Sequence, residues 1–251
     1  MSVLRNDKTR LFGLSGGLAV LLAALLSSPS FADDDTLDPR DPLEGLNRKI
    51  FAFNEVADRY VLKPVARGYK TVTPTPVETS IGNFFNNIGE VQSFGNDILQ
   101  GKPSNALVDA GRFIINTTVG VLGLFDVATH IGLKREPEDF GQTLAVWGVG
   151  SGPYLMLPLF GPSTLRDGTG TAVDSYTSVE GNIDPERARY YMKVIDVVDT
   201  RASLLDSEDL ISGDRYSFLK DAYLQRREYL INDGKTEDSF GGEDFESFEE
   251  F

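Results

Sequence analysis

Asp41-Pro-Leu-Glu-Gly-Leu-Asn-Arg-Lys-Ile-Phe-Ala-Phe-Asn54 sets the period that the rest of the chain repeats. Asp41 is suited to cap a helix, Pro42 to fill its first position, and Glu44 to complete a capping box. Apolar side chains then recur at steps of three and four residues, at Leu43, Leu46, Ile50, Phe53, Ala57 and Tyr60. This spacing places them on one face of a helix, as in any helix that packs on a core.

The same period predicts helices along most of the chain. The first helix is predicted over about residues 42–62, ending near Pro64, with a connector from Val65 to Pro76. Further helical patterns cover about residues 81–99, 103–117, 138–147, 163–176, 184–205 and 214–231. Alternating strand patterns are scarce. We therefore predict an all-α, ring-like single domain of about seven amphipathic helices, with room for one small hairpin.

Two apolar segments do not fit this helical pattern. Residues 119–131 are rich in aliphatic side chains but too short to span a bilayer as a helix. Two interpretations stay open for them: a buried helical hairpin, or an interfacial segment that dips into lipid. Residues 148–162 hold four glycines and three prolines, which exclude a regular helix. Such an apolar segment must either be buried in protein or face lipid, and in both cases its backbone N–H and C=O groups need hydrogen-bond partners.

The N-terminus has the pattern of an export signal. Arg5, Lys8 and Arg10 precede an apolar run from Leu11 to Leu26, and Ser30-Phe-Ala32 offers a signal-peptidase site. The alternative is an uncleaved anchor, but glycines break the apolar run. The predicted organisation is a signal peptide over 1–32, an acidic leader over 33–40, a helical domain over 41–231, and an acidic disordered tail over 232–251.

Composition excludes several classes of function. The chain has no cysteine, one histidine and a net charge of -14. It therefore cannot form disulfides or thiolate metal sites, and its acidity argues against nucleic acid as a partner. No run of lysine and arginine suggests a polybasic membrane-surface patch. We predict neither a cofactor nor a metal site.

Catalytic motifs are also missing from the sequence. After the predicted signal peptide it holds no Gly-x-Ser-x-Gly, phosphate loop or His-Glu-x-x-His, and Gly148-x-Gly150-x-Gly152 lacks the flanking strand and helix of a nucleotide loop. We predict that the protein is not an enzyme. Arg48, Arg112 and Arg166 lie beside apolar stripes, where they either snorkel or form salt bridges, or else meet lipid phosphates.

The opening stretch resembles the start of the mature MlaA (VacJ) family of outer-membrane lipid-transport proteins. Similar blocks follow in the same order at 112–120, 125–128, 136–144, 147–154, 157–161, 165–167, 203–206 and 223–226. The residues that carry this resemblance are Asp41, Pro42, Leu43, Glu44, Asn47, Arg48, Arg112, Asn116, Phe140, Gly141, Pro153, Tyr154, Pro158, Arg166 and Asp167.

The resemblance implies a helical ring in the inner part of the outer membrane, with a central amphipathic channel. Phospholipids misplaced in the outer leaflet would pass through it to an MlaC-like periplasmic carrier, which maintains lipid asymmetry. A trimeric porin is the implied protein partner. The implied candidates for the channel and its gate are Phe53, Asn54, Leu144, Gly148, Val149 and Gly150. The alternatives are a porin-associated scaffold and an exported lipid hydrolase.

The resemblance and the export signal together predict a localisation at the cell outer membrane, on its periplasmic side. Many members of the family are lipoproteins, which need a cysteine at the cleavage site, and this chain has none. We therefore predict attachment without a lipobox cysteine, through apolar surface near 119–125 and 154–160 and through partner proteins.

Overall fold

A computed structural model describes residues 38–206 and 213–235. The predicted signal peptide, most of the leader and the tail beyond Lys235 lie outside these residues. The helices are α1 (Glu44–Ala57), α2 (Lys63–Val72), α3 (Thr75–Gln100), α4 (Pro103–Thr118), α5 (Val127–His130), α6 (Phe140–Val146), α7 (Leu165–Thr177), α8 (Glu186–Ser203) and α9 (Arg215–Ile231). A π-helical turn (Asp58–Leu62) joins α1 to α2, and a 3-10 turn (Glu180–Asn182) precedes α8.

The prediction of an all-α fold with one small hairpin is confirmed. The hairpin consists of antiparallel strands β1 (Tyr154–Leu157) and β2 (Gly161–Thr164), with Tyr154 opposite Thr164. The predicted end of the first helix near Pro64 is wrong, because α2 extends the helix to Val72. Pro64 stands at the second position of α2, directly after the π-helical turn, where a missing backbone N–H is tolerated.

The elements contact one another in a closed circuit. Helix α1 contacts β1, β1 pairs with β2, and β2 contacts α7. Helix α7 packs on α6, α6 on α3, α3 on α8, and α8 on α2, which returns to α1 through the π-helical turn. Outside this circuit, α4 lies along α3, and α9 contacts α6 and β2. This arrangement is the ring-like one that the resemblance implies.

Burial in this ring is inverted relative to a water-soluble globule. Among the described residues, 18 polar or charged side chains are buried against 9 apolar ones. Large apolar side chains are instead exposed on every long helix, for example Val72, Leu107 and Tyr176. Exposed apolar surface on this scale is typical of proteins that contact lipid or other proteins. No described helix is long and apolar enough to cross a bilayer.

The apolar core is small and joins the first helix to the last. Ile50 of α1, Tyr154 and Met156 of β1, and Tyr216 of α9 are buried together. The rings of Tyr154 and Tyr216 meet edge to face with centroids 6.2 Å apart. Tyr154 and Met156 are two positions apart in β1, so their side chains point to the same face of the hairpin. The hairpin thus packs between the two ends of the domain.

Candidate functional site

Two asparagines of α1 bind the β-hairpin through their side-chain amides. Asn47 donates from Nδ2 to the carbonyl of Tyr154 at 3.1 Å and accepts from the amide of Met156 at 2.9 Å. Asn54 donates from Nδ2 to the carbonyl of Leu157 at 3.0 Å and accepts from the amide of Leu159 at 2.8 Å. The two residues are two helical turns apart and face the same way, so they extend the hydrogen bonding of the hairpin onto α1.

The tip of the hairpin is apolar and projects from the surface. Leu159 and Phe160 are 72% and 78% exposed, and they follow Pro158 in the turn. Leu159 has φ of 65°, an uncommon conformation for a residue other than glycine, and its amide is the one bound by Asn54. Phe53 is exposed next to Asn54 on α1. The contacts of Asn54 therefore hold the exposed apolar tip of the hairpin against α1.

The candidate gate is the segment Trp147–Pro153, which leads from α6 to the hairpin. Gly148 and Gly152 have φ of 86° and 65°, which glycine adopts without strain. No described atom lies within 4 Å of a Cβ built on Gly148 or Gly150. A Cβ on Gly152, in contrast, would lie 3.1 Å from Cβ of Leu165. The first half of this gate segment is open, and its second half packs on α7.

The gate segment is bound at both ends. Trp147 donates from Nε1 to the carbonyl of Leu99 on α3 at 3.0 Å. The backbone amide of Arg166 donates to the carbonyl of Ser151 at 3.1 Å, and its Nη1 lies 3.5 Å from the carbonyl of Val149. Val149 itself is exposed. The amides of Gly148 and Val149 also donate to the carbonyls of Ala145 and Leu144, each at 2.9 Å, so movement of the segment would break these bonds.

One arginine of α9 binds the two helices that flank the gate segment and the hairpin. Arg227 pairs with Asp139, which caps α6 by accepting from the amide of Gln142 at 2.8 Å. It also donates from Nε and Nη2 to Asp167, in the first turn of α7, at 3.1 and 3.0 Å. Burial raises the pKa of Asp167, but Arg227 and Arg166 outweigh it and hold that pKa below its usual value.

Helices α6 and α7 touch through glycines. A Cβ on Gly170 would lie 2.4 Å from the backbone nitrogen of Gly141, a clash that no side-chain movement relieves. Phe140, beside this contact, donates its amide to Asp174 of α7 at 3.0 Å and meets the ring of Trp147 edge to face. The start of the gate segment therefore depends on the α6–α7 contact.

A cavity of about 260 Å³ opens between α3, α6 and α7, beside the gate segment. Its apolar lining includes Val91, Leu99, Phe140, Val173 and Val179, and its polar lining includes Gln92, Asn96 and Asp174. Leu144, another gate candidate, is partly buried on α6. Groups of carboxylates and histidine that could hold a metal are absent from residues 38–206 and 213–235.

Arg112 lies in a buried ion network and not at the lipid surface. It is 1% exposed and donates to Glu90 at 2.8 Å, to the carbonyl of Leu133, and to Asp126. Asn116 donates to the same Asp126 at 3.0 Å. The interpretation of Arg112 as a contact for lipid phosphate is wrong, because the side chain is enclosed. The network instead anchors the apolar segment that follows α4.

That segment, residues 119–125, forms a projecting apolar loop. Val119, Leu122 and Phe125 are all exposed. Val121 and Leu122 have φ of 53° and 59°, a left-handed conformation that is strained for a β-branched residue such as valine. The interpretation of this region as a buried helical hairpin is wrong. The interfacial interpretation stays a proposal.

Asp41 does not cap α1 as predicted, because the helix begins at Glu44 with Leu43 at its N-cap. Asp41 is instead buried, where it accepts from Nδ2 of Asn47 at 2.7 Å and from the hydroxyl of Tyr216. The residues around it are also in ion pairs, since Arg48 bridges Glu44 and Asp214 at 2.6 and 2.8 Å. Pro42 lies in the turn that leads from Asp41 into α1.

These observations are matched by relatives of known family. The family described as MlaA lipoprotein matches residues 39–230. The chain belongs to the MlaA family. A relative from Escherichia coli (strain K12), named intermembrane phospholipid transport system lipoprotein MlaA, is 36% identical over 238 residues, which cover 91% of each chain. A relative of the same name from Haemophilus influenzae is 34% identical over 88% of this chain and 92% of its own.

A solved structure also resembles this chain in sequence and fold. It comes from work on the structural basis for maintenance of bacterial outer membrane lipid asymmetry. The two chains are 40% identical and superpose with a TM-score of 0.68. The match covers 76% of this chain and 99% of the other. Sequence and fold therefore agree on the MlaA family.

The MlaA relatives overturn the predicted localisation. That prediction places the chain at the periplasmic side of the cell outer membrane, exported by a cleavable signal peptide and held without a lipobox cysteine. The family description and the names of both relatives are those of lipoproteins, so the prediction is wrong. The sequence itself contains no cysteine.

Sequence reasoning missed the functional face of α9 in this MlaA chain. Tyr216, Lys220, Tyr223 and Arg227 recur at steps of four, three and four and bind Asp41, Asp38, Asp167 and Asp139. Two of the four side chains are cationic, so the apolar pattern of the sequence did not show that the four residues share one face of α9. The signal that would have found them is the shared helical period of tyrosines and cations.

Proposed function

We propose that the protein is the component of an intermembrane phospholipid transport system that removes mislocalised phospholipids from the outer leaflet of the outer membrane. It would thereby maintain the lipid asymmetry of that membrane. The observation that carries this proposal is the inverted burial around a closed circuit of helices. Apolar side chains are exposed on the ring, while carboxylates, amides and guanidinium groups fill its interior.

The energetics of moving a lipid explain why such a surface is needed. A phospholipid with roughly thirty methylenes costs over about 20 kcal/mol to expose to water, at about 0.8 kcal/mol for each methylene. A passive protein moves it only if the acyl chains stay on apolar surface while the head group finds polar contacts. The mixed lining beside the gate segment offers both kinds of contact.

The gate candidates lie on elements that border the hairpin and this cavity. We propose that Gly148, Val149 and Gly150 move, because Val149 is exposed and a Cβ on either glycine would meet open space. Leu144 would form the stationary side on α6. Phe53 and Asn54 would hold α1 against the hairpin tip while the segment moves.

We further propose the wider arrangement in which this ring works. Its helical domain spans residues 41–231, between a leader and an acidic tail. It would receive phospholipid beside a trimeric porin and pass it to an MlaC-like periplasmic carrier. The relatives are named as parts of a transport system, and transport of this kind requires neither bond chemistry nor a cofactor. The protein would therefore act without enzymatic activity.

Exported lipid hydrolysis is the less supported alternative. A hydrolase built on this chain would need a nucleophile activated by His130. In the structure His130 is exposed, and the hydrogen bond of its ring joins Nδ1 to the backbone carbonyl of Asp126 at 2.8 Å and not to a hydroxyl nucleophile. A His130→Ala variant that still maintains lipid asymmetry would exclude hydrolysis.

Site-specific photo-crosslinking in detergent-extracted membranes tests the transport proposal. The crosslinker is placed in turn at Phe53, Leu144 and Val149, with Glu228, an exposed residue of α9, as the control position. Phospholipid adducts at the first three positions but not at Glu228 would support a lipid path. A folded protein without adducts at any position would favour the porin-associated scaffold instead.

A further inference from the structure

Four cations lie along the π-helical turn and α2, which follow α1. Arg59, Lys63, Arg67 and Lys70 are separated by four, four and three residues, and together they are called the cationic stripe. No aspartate or glutamate occurs from 59 to 77, although the chain as a whole carries a net charge of -14. The sequence lacks a continuous basic run, so the stripe becomes visible only once this stretch is known to be helical.

Helix α2 presents three distinct sides. Its packed side carries Ala66, which is fully buried, and Tyr69, whose hydroxyl donates to Asp199 of α8 at 2.6 Å. The helical period places Lys63, Arg67 and Lys70 together on one flank. Val65 and Val72 lie on the opposite flank, where both are exposed. A helix with one cationic and one apolar flank is suited to lie along a membrane surface.

Two described aspartates beside the stripe are held in ion pairs. Asp58, just before it, is paired with Arg201 of α8 at 2.7 Å. Lys70 is paired with Asp206 at 2.6 Å, but that carboxylate is 82% exposed, and exposed pairs are weak and easily exchanged. Arg59 and Arg67 are both exposed. The stripe can therefore engage several phosphate groups at once.

A cavity adjoins the C-terminal end of the stripe. It has a volume of about 430 Å³ and is lined by Arg67, Lys70, Thr71, Leu205 and Asp206. A guanidinium, an ammonium and a hydroxyl group are the donors that bind a phosphate in proteins. The carboxylate of Asp206, which is 82% exposed and pairs with Lys70, would have to turn out to solvent when an anion enters. The apolar wall at Leu205 would face the part of a lipid just below its phosphate.

We propose that the cationic stripe docks the protein on a bilayer surface that carries anionic phospholipids, with one phosphate in this cavity. The exposed valines of α2 would then enter the bilayer while the stripe stays at the level of the head groups. Each cation near an anionic membrane surface strengthens binding about fivefold. This inference goes beyond lipid transport, because docking does not require that any lipid moves.

Vesicle flotation of the full-length protein tests the proposal. Vesicles of phosphatidylcholine alone are compared with vesicles that also contain phosphatidylglycerol. We expect tighter binding to the second kind, a loss of about 25-fold in the Arg59→Gln, Arg67→Gln double variant, and loss of the preference at high salt. The matched control, Arg187→Gln with Arg226→Gln, removes two exposed arginines from α8 and α9.

Equal losses in the two double variants, or none in either, would overturn the proposal. Circular dichroism establishes that both variants are folded, as expected for side chains outside the packed face of α2. Lipid crosslinking at Val149 is measured in parallel. If the Arg59→Gln, Arg67→Gln variant no longer binds vesicles but still forms lipid crosslinks at Val149, docking by the stripe is supported independently of transport. If the protein binds vesicles but forms no crosslinks, only the transport proposal is weakened.

Discussion

The hydroxyl of Tyr216 donates a 2.5 Å hydrogen bond to the carboxylate of Asp41 across 175 positions of the chain. Both side chains are buried, and Nζ of Lys220 lies 3.6 Å from the same carboxylate. Burial and the bond to Asp41 both raise the pKa of Tyr216, so its hydroxyl remains a donor at any ordinary pH. The segment before α1 is thereby bound to α9, and the two ends of the domain are stabilised together.

Replacing Tyr216 with phenylalanine should therefore destabilise the whole domain. The change leaves a buried carboxylate without one of its donors, which costs about 1–3 kcal/mol of unfolding free energy. Denaturant unfolding followed by circular dichroism measures this loss. Tyr229→Phe is the matched control, since Tyr229 lies on the same helix and is 49% exposed. Equal stability of the two variants would show that the bond to Asp41 contributes little.

Arg227 should control the mobility of the gate segment. In Arg227→Gln the capping carboxylate of α6 and the buried Asp167 of α7 both lose their shared cation. We expect hydrogen exchange to become at least several-fold faster at residues 147–153 and at the start of α7, with α4 unchanged. Hydrogen exchange should stay nearly as fast in Arg227→Lys, because an ammonium cannot form paired hydrogen bonds to two carboxylates.

The control for Arg227 is Arg226→Gln, which removes an exposed arginine at the neighbouring position. Its exchange pattern should match that of the parent protein. A uniform rise of exchange over the domain in Arg227→Gln would mean that Arg227 is a general stabiliser and has no specific link to the gate segment.

The α6–α7 contact should tolerate no side chain at Gly170. In Gly170→Ala the new methyl group meets the backbone of Gly141, so the helices must separate, at a cost of about 1–3 kcal/mol. Gly168→Ala, on the same helix, places its Cβ 3.4 Å from Oγ of Ser163 and should be nearly neutral. Thermal unfolding of both variants checks this. A Gly170→Ala protein as stable as Gly168→Ala would contradict the close contact.

The sequence predicted the helices more successfully than the sides they bury. Ile50 and Phe53 belong to the same predicted stripe, yet Ile50 is buried in the core and Phe53 is exposed. Periodicity reports that a helix has an apolar face, but it does not report whether water, lipid or protein lies against that face. For the same reason the cationic stripe was not predicted, since its residues share a flank only if the helix continues through Pro64.

The candidate site was predicted only in part for a related reason. Glycines and prolines in residues 148–162 indicated an irregular segment, and β1, β2 and the gate segment occupy it. Asp41 was recognised as important but given the wrong role, because its partner Tyr216 is distant in sequence. Arg227 was missed altogether. Pairings over such separations depend on how helices pack, which the local pattern does not contain.

Stability should fall as the pH rises from about 4 to 8, because of a buried carboxyl pair. Asp97 of α3 and Asp109 of α4 are both buried, and each carboxyl group affects the pKa of the other. Desolvation, together with the charges of Glu90 and Asp97, raises the pKa of Asp109 to about 8, and desolvation raises that of Asp97 to about 6. Arg112 and Lys102 oppose these shifts, and Glu138 and Asp233 add to the shift of Asp97.

The sign of the effect follows from which state binds the proton. Between about pH 4 and 8 the folded protein holds a proton on Asp109 that the unfolded chain has released, so each rise in pH lowers the free energy of unfolding. Asp109→Asn keeps a donor for Asp97 and should remove most of this slope. Asp221→Asn, at a side chain 45% exposed, should leave it unchanged. Denaturant unfolding at several pH values measures the slopes, and a parent protein equally stable at pH of about 6 and 9 would exclude a shared proton.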